Sequence, residues 1–550
     1  MSKEFILLLI SYFLLMPSVV GIGYLCAHLT NLNKKNFSYG YFGIMGCFFL
    51  ILYSYVSHFF ISHNLIHNSV LLFVGITSFL FLLRSEYRKK EIIVLIITFF
   101  ILYICLLSYK TNDDFPYYHF AYTYYLNQNP IILGIGKINH GFSTPSSIFY
   151  LNSLFYLPFI KYFSFQMSAI LFMGFTITIL ITEILNYFKT KKLDFVFYFS
   201  LLSLAFICTF FYRISEHGTD RSAQILIYLF IIELIILLNN KNFFRENYIK
   251  IIMLLGLIVS LKAFFALYSI FFIFIFIYLF FIKRNLKFAK EVLKNIYSYF
   301  TLILVLSVLS VNLFNTGCFL YPVSFTCIEN FSWSINIDQV KSLNNWYELW
   351  SKAGANPNYR TENPEIYIQN FNWVSHWFNE YFFNKVSDFL LGLIVLSFIF
   401  FLFFWKSPKL NSKNIDLKLI YFLTIVLFIE WFYNHPSLKY GGYILITLLV
   451  FMPIAVYINK SSLKNSKALY RTKIFIIIIF SIFIFRNIDR IIDEKKLYDY
   501  NPLLNPYYKV DSNYFKIDNY ISCLNHKNQC KQYKFKVKNF LGRFVLLNND

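Results

Sequence analysis

Long apolar segments separated by short polar loops recur along most of the 550-residue chain. About 20 apolar residues let a helix cross the roughly 30 Å hydrocarbon core of a bilayer. Lys262 divides one apolar stretch into two short halves, which leaves the helix count open there. The pattern predicts an all-α polytopic membrane protein with about 14 transmembrane helices, at residues 5–29, 41–61, 65–83, 91–108, 164–187, 194–212, 222–239, 249–261, 263–282, 297–314, 387–405, 418–434, 442–459 and 473–487.

The basic residues concentrate in alternate loops of this pattern. Because loops rich in Lys and Arg stay in the cytoplasm, the remaining loops are expected to face outward, with short interfacial helices in the longer ones. Residues 109–163 and 315–386 are the long outer loops. The expected organisation is an additional N-terminal set of helices at 1–90, a core at 91–487, and an outer tail or small domain at 488–550.

Composition excludes a soluble protein with an ordinary surface. Hydrophobic residues make up 58% of the chain and charged residues 14%, whereas soluble domains carry about 25% charged residues. The formal net charge of +22 falls in short clusters between apolar runs, which is typical of topology signals rather than of nucleic-acid binding. The bilayer is therefore an expected partner and nucleic acid is not.

Four of the eight cysteines form two close pairs in predicted outer segments, Cys318 with Cys327 and Cys523 with Cys530. Non-cytoplasmic compartments permit disulfides that the cytosol would reduce. The topology thus predicts the bonds Cys318–Cys327 and Cys523–Cys530.

Two adjacent carboxylates, Asp113 and Asp114, follow the apolar run 91–108. Such a pair either anchors the helix end in the interface or performs chemistry. Neighbouring acids repel each other where the dielectric constant falls, which favours proton uptake by one of them. Tyr117, His119 and His140 in the same loop favour a site, as substrate-binding residues beside a general base.

The next predicted outer loop holds more polar side chains than a turn between two helices needs. Arg213 and Arg221 are planar donors suited to phosphate oxygens. Glu216, His217 and Asp220 are candidate substrate-binding residues between them. The alternative is a solvated loop.

Isolated cations lie at two further membrane boundaries. Lys262 has no acid nearby in sequence, so it either extends to the headgroups or meets an anionic ligand. Lys439 lies between His435 and a pair of glycines, with Tyr440 beside it. Lys262 and Lys439 are therefore candidates for binding a phosphate, and His435 and Tyr440 for binding substrate.

The sequence contains no Walker A motif, no dinucleotide-binding glycine motif and no His-Glu-x-x-His motif. No cofactor is required by these residues. A divalent cation held by paired carboxylates is possible, but its ligands are unknown.

Several strings carry a resemblance to a known family: Asn112-Asp113-Asp114-Phe115, Glu216 to Arg221, Thr316-Gly317-Cys318 and Pro436 to Gly441. They look like those of uncharacterised bacterial proteins associated with envelope polysaccharides. An acidic pair in the first large outer loop, followed by interfacial helices and a scaffold of about a dozen helices, resembles the GT-C superfamily of polyprenyl-phosphate-dependent integral membrane glycosyltransferases. In that superfamily the acidic loop follows the first helix, whereas here three additional helices precede the helix that leads into it.

The resemblance implies a transferase of the outer face of the cytoplasmic membrane. It would move a sugar from a polyprenyl-phosphate donor to an envelope glycan, lipid or protein acceptor, with Asp113 as the general base and Asp114 beside it. Two other functions stay open. A polysaccharide polymerase or ligase would use loop 315–386 with Arg360, and a flippase for a lipid-linked saccharide would use intramembrane acids such as Glu233 and Glu430.

Overall fold

A computed structural model describes residues 2–190, 194–216, 218–239, 245–405, 416–460, 465–525, 535–540 and 542–548. The first half of the described chain forms helices α1 Lys3–Leu29, α2 Tyr39–His58, α3 Leu65–Ser85, α4 Lys89–Leu102, α5 Phe120–Gln128, α6 Ser147–Ser153, α7 Met167–Thr190, α8 Phe195–Phe210, α9 Gly218–Asn239, α10 Arg245–Leu261 and α11 Ser269–Ile277.

The second half is also mainly helical. It contains α12 Leu286–Lys294, α13 Ile296–Thr316, α14 Ile337–Lys352, α15 Pro364–Ile368, α16 Val374–Trp377, α17 Ser387–Phe404, α18 Lys418–Asn434, α19 Gly442–Asn459, α20 Asn465–Tyr498 and α21 Lys516–Asn525. Strands β1 Phe535–Phe540 and β2 Arg543–Asn548 pair antiparallel and form an exception to the predicted all-α class.

The protein is a polytopic helical membrane protein. Ten helical stretches in the described residues are long and apolar enough to cross a membrane. Each of the fourteen predicted segments overlaps a helix, although some of these helices, such as the 14-residue α4, are short for a crossing. The polytopic architecture is confirmed, and the exact number of crossings stays a prediction.

Small residues let the first three helices approach closely. A Cβ atom on Gly23 would lie 1.8 Å from the carbonyl oxygen of Phe42, and one on Gly21 would lie 1.9 Å from that of Gly75. Without a hydrophobic force between helices in lipid, such close backbone packing is a main source of association. Glycines at these positions therefore fix the packing of α1 against α2 and α3.

The polar loops collect at two ends of the helical bundle. At one end, here called the basic end, Arg88 pairs with Glu91 at 2.9 Å and Lys250 pairs with Glu233 at 3.4 Å. The opposite Asp114 end holds the loops with Asp114, Asp220, Lys262 and Lys439. The alternation of basic and other loops along the sequence predicts this separation of the loops into two ends.

Two helices extend further than their apolar runs. Residues Val374–Phe404 form one continuous helical stretch, which begins well before the predicted start at residue 387. Trp377 on this extension donates from its indole to the carbonyl oxygen of Pro436 at 2.8 Å. α20 runs on to Tyr498 because Glu494 accepts from the backbone N–H of Tyr109 at 3.0 Å. Polar tertiary contacts thus prolong helices beyond the membrane segment.

The tail packs against the loop that carries Asp114. The backbone N–H of Leu546 donates to the carbonyl oxygen of Leu133 at 2.9 Å, which joins the hairpin to this loop. Tyr508 packs edge-on against Phe115 with ring centroids 5.3 Å apart. The tail therefore helps to position the turn after Asp114.

A disulfide joins Cys318 and Cys327 just after α13. The buried Cys318 packs with Val340 of α14, so the cross-linked hairpin supports that helix. The predicted pair Cys523–Cys530 lies outside the described residues, because the Cys523 side chain and residue 530 are not described.

Candidate functional site

The backbone turns sharply at the acidic pair. The Asn112 side chain accepts from the backbone N–H of Asp114 at 3.0 Å, and a π-helical turn, Phe115–His119, then leads into α5. Asp113 is exposed and Asp114 is half-buried. Asp114 interacts electrostatically with Lys262 and Lys439, so it is the acid that faces the other predicted site residues.

Lys262 occupies a break between two helical segments. It has an extended backbone (φ −156°, ψ 129°) between α10 and the 3₁₀ turn Ala263–Tyr268, at the point where the sequence divides the apolar stretch. Its ammonium lies 2.9 Å from Asp220 at the start of α9. The lysine that lacks an acid nearby in sequence therefore has one in space, and Asp220 holds it at the Asp114 end.

Lys439 lies in a one-turn helix, Leu438–Tyr440, between α18 and α19. Its ammonium is 4.5 Å from the ring centroid of Trp350, and its carbonyl oxygen accepts from the Gln224 side chain at 3.0 Å. Burial lowers the pKa of Lys439, and the nearby Asp220 opposes that shift. This lysine is thus a cation held over an aromatic ring, and its partial desolvation strengthens its attraction for an anion.

His119 lies close to both Lys262 and Lys439. Burial, and then the neighbouring Lys262, lower its pKa to about 3, so the imidazole is neutral at physiological pH. Its buried Nε2 atom has no hydrogen-bond partner among the described residues. A neutral ring with a free polar atom suits contact with a substrate hydroxyl.

Aromatic side chains close the other side of the cluster. The Tyr117 hydroxyl lies 3.3 Å from His140 Nδ1, and the His140 ring lies 6.3 Å from that of Trp346 on α14. Tyr347, next on α14, interacts electrostatically with Lys262 and Asp114. Tyr118, Tyr347 and Trp350, which border this cluster, were not among the predicted site residues. For Tyr347 and Trp350, the available signal was their spacing of three positions on α14, which also carries charged residues.

Glycine is required where the loop bearing His140 crosses this surface. A Cβ atom on Gly141 would lie 2.4 Å from Cγ of Tyr118. The backbone at Gly141 therefore packs directly on the Tyr118 ring. Burial raises the pKa of that tyrosine well above its usual range, so its hydroxyl keeps its proton.

Other predicted residues form a second, separate group. Arg213 pairs with both carboxylate oxygens of the buried Glu216, and Arg490 of α20 lies 4.0 Å from the same carboxylate. Arg221 lies over the Phe211 ring, 5.4 Å from its centroid. Glu216 thus ties the loop between α8 and α9 to α20, and phosphate binding by Arg213 and Arg221 stays a prediction. His217 lies outside the described residues.

His435 borders the cluster without pairing with its charges. Its ring packs 5.8 Å from that of Tyr440 and 6.0 Å from that of Phe264. Burial lowers its pKa, and Glu348 opposes the shift. His435 therefore supports Tyr440, which in turn stacks on Phe264 at 5.7 Å.

The cluster combines a half-buried carboxylate, two cations and several aromatic rings. Within the described part of the chain, the carboxylate of Asp114 has no hydrogen-bond or ion-pair partner, and no group of three His, Cys, Asp or Glu comes together to hold a metal ion. The divalent cation stays a prediction. The arrangement can accept a proton at Asp114 while it stabilises negative charge at Lys262 and Lys439.

A family model covers all of these residues. Residues 5–446 match the model of a family described as a domain of unknown function, DUF8201. The chain belongs to this family. No curated protein and no solved structure matches the chain. The matched region runs from α1 into α19 and includes Asp114, Asp220, Lys262 and Lys439, but it ends before α20 and the tail.

Proposed function

We propose that the protein is an integral membrane glycosyltransferase with a GT-C-like fold of about fourteen crossings. It transfers a sugar from a polyprenyl-phosphate donor to an envelope acceptor at the outer face of the cytoplasmic membrane. The observation that carries the proposal is the placement of one half-buried carboxylate, Asp114, opposite Lys262 and Lys439 where apolar helices end. A lipid-linked anion would meet the two lysines there, and an acceptor hydroxyl would meet the Asp114 carboxylate as its base.

In the proposed reaction, an acceptor hydroxyl oxygen attacks the anomeric carbon of the donor sugar. Asp114 takes the hydroxyl proton, the new carbon–oxygen bond forms, and the bond from the anomeric carbon to the phosphate oxygen breaks. The electron pair leaves with the polyprenyl phosphate, whose charge Lys262 and Lys439 stabilise. Fixed charges of this kind supply about 10²–10³ in rate per group, and a general base about 10²–10⁴.

The two alternative functions find less support in the geometry. Arg360, which a polymerase or ligase would use, donates to the carbonyl oxygens of Pro357 and Tyr359 within its own loop. Of the two acids that a flippase would use, Glu233 is paired with Lys250 and accepts from Tyr41 at 2.5 Å, and Glu430 accepts from the Asn434 side chain at 3.2 Å. These groups are engaged in local structure.

The acidic pair provides a matched test. Asp114→Asn removes the proposed base, whereas Asp113→Asn removes the exposed neighbouring carboxylate. Each variant is expressed in a strain that lacks the gene, and its envelope glycans and lipid-linked sugars are analysed by mass spectrometry, with the membrane level of each protein measured by immunoblot.

We expect Asp114→Asn to reproduce the deletion, with glycans that lack one sugar, and Asp113→Asn to restore the wild-type pattern. Single unpolymerised repeat units in the deletion strain would instead indicate a polymerase. A wild-type glycan pattern with Asp114→Asn, at a normal protein level, would contradict the proposed role of Asp114.

A further inference from the structure

The cluster around Asp114 has two chemically different sides. Lys262 and Lys439 lie at the ends of apolar helices, on the side of the membrane segments. Tyr117, His140 and Trp346 lie outside those helices, in the turn after Asp114, in the segment before α6 and on α14, and form an aromatic surface on the other side. Asp114 is close enough to interact electrostatically with Tyr117 and His140 as well as with Lys262 and Lys439, so it adjoins both sides.

The aromatic surface is accessible and its rings are held in place. Tyr117 is 52% exposed, and its ring centroid lies 5.5 Å from that of His140. The Asn139 side chain donates to the carbonyl oxygen of Tyr117 at 3.1 Å and accepts from the backbone N–H of Gly141 at 2.8 Å. This asparagine thus fixes the two rings relative to each other.

The third ring, that of Trp346, is positioned by contacts at both ends of α14. Lys352, at the end of α14, is 1% exposed, pairs with Glu348 at 2.6 Å and donates to the carbonyl oxygen of Ile368 at 2.6 Å. Val340, near the start of the helix, is buried against the hairpin closed by Cys318 and Cys327. With both ends anchored, α14 presents Trp346 as a rigid surface.

We propose that Tyr117, His140 and Trp346 form the acceptor subsite and that the acceptor is a carbohydrate chain. This inference rests on the proposed function. One face of a pyranose ring carries mainly C–H groups, which pack on aromatic rings, while its hydroxyls reach the polar atoms at the ring edges. Aromatic rings give a large contact area with little conformational freedom to lose, and few polar groups then orient the ligand.

The placement favours this occupant over a lipid. All three rings carry a polar atom at the edge, and an acyl chain laid across them would leave these atoms without water or a partner. A sugar bound there brings a hydroxyl to Asp114 from the water side, while the donor phosphate reaches Lys262 and Lys439 from the membrane side. The two substrates then meet at one carboxylate.

The test measures acceptor binding and donor binding separately, with purified full-length protein in nanodiscs. Wild type, Trp346→Ala and Tyr117→Ala are applied to an array of bacterial oligosaccharides and of Ser/Thr-containing peptides. Asn344→Ala is the matched control, because Asn344 is an exposed residue on the same helix. Binding of radiolabelled undecaprenyl phosphate to the same nanodiscs reports the donor side.

We expect wild type and Asn344→Ala to bind one class of oligosaccharide, and Trp346→Ala and Tyr117→Ala to bind it at least tenfold more weakly while they retain undecaprenyl phosphate. The inference is overturned if wild type binds no oligosaccharide, if Trp346→Ala binds as wild type does, or if peptides are bound instead. Failure of the proposed function would give a different result. If Lys262→Met bound undecaprenyl phosphate as well as wild type does, the donor assignment would be contradicted, whereas the oligosaccharide result would be unchanged.

Discussion

The ion pair between Asp220 and Lys262 allows the structural role of Lys262 to be separated from its proposed catalytic role. Its two charged atoms lie 2.9 Å apart, and the side chains are 17% and 28% exposed. At an effective dielectric constant of about 20, unit charges at that distance attract by about 6 kcal/mol. Desolvation and side-chain ordering offset much of this attraction, so only part of it contributes to stability.

The partial exposure sets the expected magnitude. Exposed pairs are worth about 0–1 kcal/mol, and breaking a fully buried pair costs about 3–5 kcal/mol. We therefore expect Asp220→Asn and Lys262→Met each to lower the free energy of unfolding by about 2 kcal/mol, since each leaves one charge without its partner. The double variant leaves neither charge and should recover part of the loss, with a coupling energy of about 1–2 kcal/mol.

The assay is a double-mutant cycle by thermal unfolding in one detergent, combined with the glycan analysis of each strain. The double variant should be more stable than the sum of the single effects and still be inactive, because it lacks the cation for the leaving phosphate. Additive losses of stability would refute the energetic role of the pair. Normal glycans in a strain with the double variant would refute the phosphate-binding role of Lys262.

Two other predictions concern stability. The folded pKa of His119, about 3, lies below its unfolded value of about 6.5, so the native state loses stability as the pH falls through this window. From pH 6.5 to pH 5 the loss is about 1.6 kcal/mol, and the thermal midpoint of His119→Gln should fall less over this interval than that of wild type. Replacing Cys318 and Cys327 together by Ser should cost about 2–3 kcal/mol from the short loop that the disulfide closes, and dithiothreitol should then lower the midpoint of the wild type more than that of the variant.

The helical scaffold could be predicted from the sequence because a run of about 20 apolar residues by itself indicates a helix that crosses the membrane. The fourteen predicted segments overlap helices, and the polar loops separate into two ends as the basic clusters indicate. The local sequence also indicates one contact within the loop between α8 and α9. Arg213 and Glu216 are three positions apart, a spacing at which opposite charges readily pair, and the structure pairs them.

Long-range contacts could not be predicted in this way. Lys262 meets Asp220 from another helix, and Lys439 meets Trp350 from a distant loop. The local sequence selects Asp220 as a candidate but does not indicate that it pairs with Lys262, and a lone lysine or tryptophan at a membrane boundary has an adequate explanation as an interfacial anchor. Whether such a residue is an anchor or part of a site depends on which loops pack around it at the Asp114 end.

The choice between Asp113 and Asp114 shows this limit at a single turn. Adjacent residues in a turn point in different directions, so the rotation of the turn decides which carboxylate faces Lys262. That rotation is set by neighbours on either side, since the Thr111 hydroxyl bonds to that of Tyr514 at 2.9 Å and Phe115 is buried against Tyr508. Both tyrosines come from the tail, about four hundred positions along the chain. Because the tail fixes the turn, Asp114 faces the cations and Asp113 faces outward, and no local feature of the acidic pair encodes that difference.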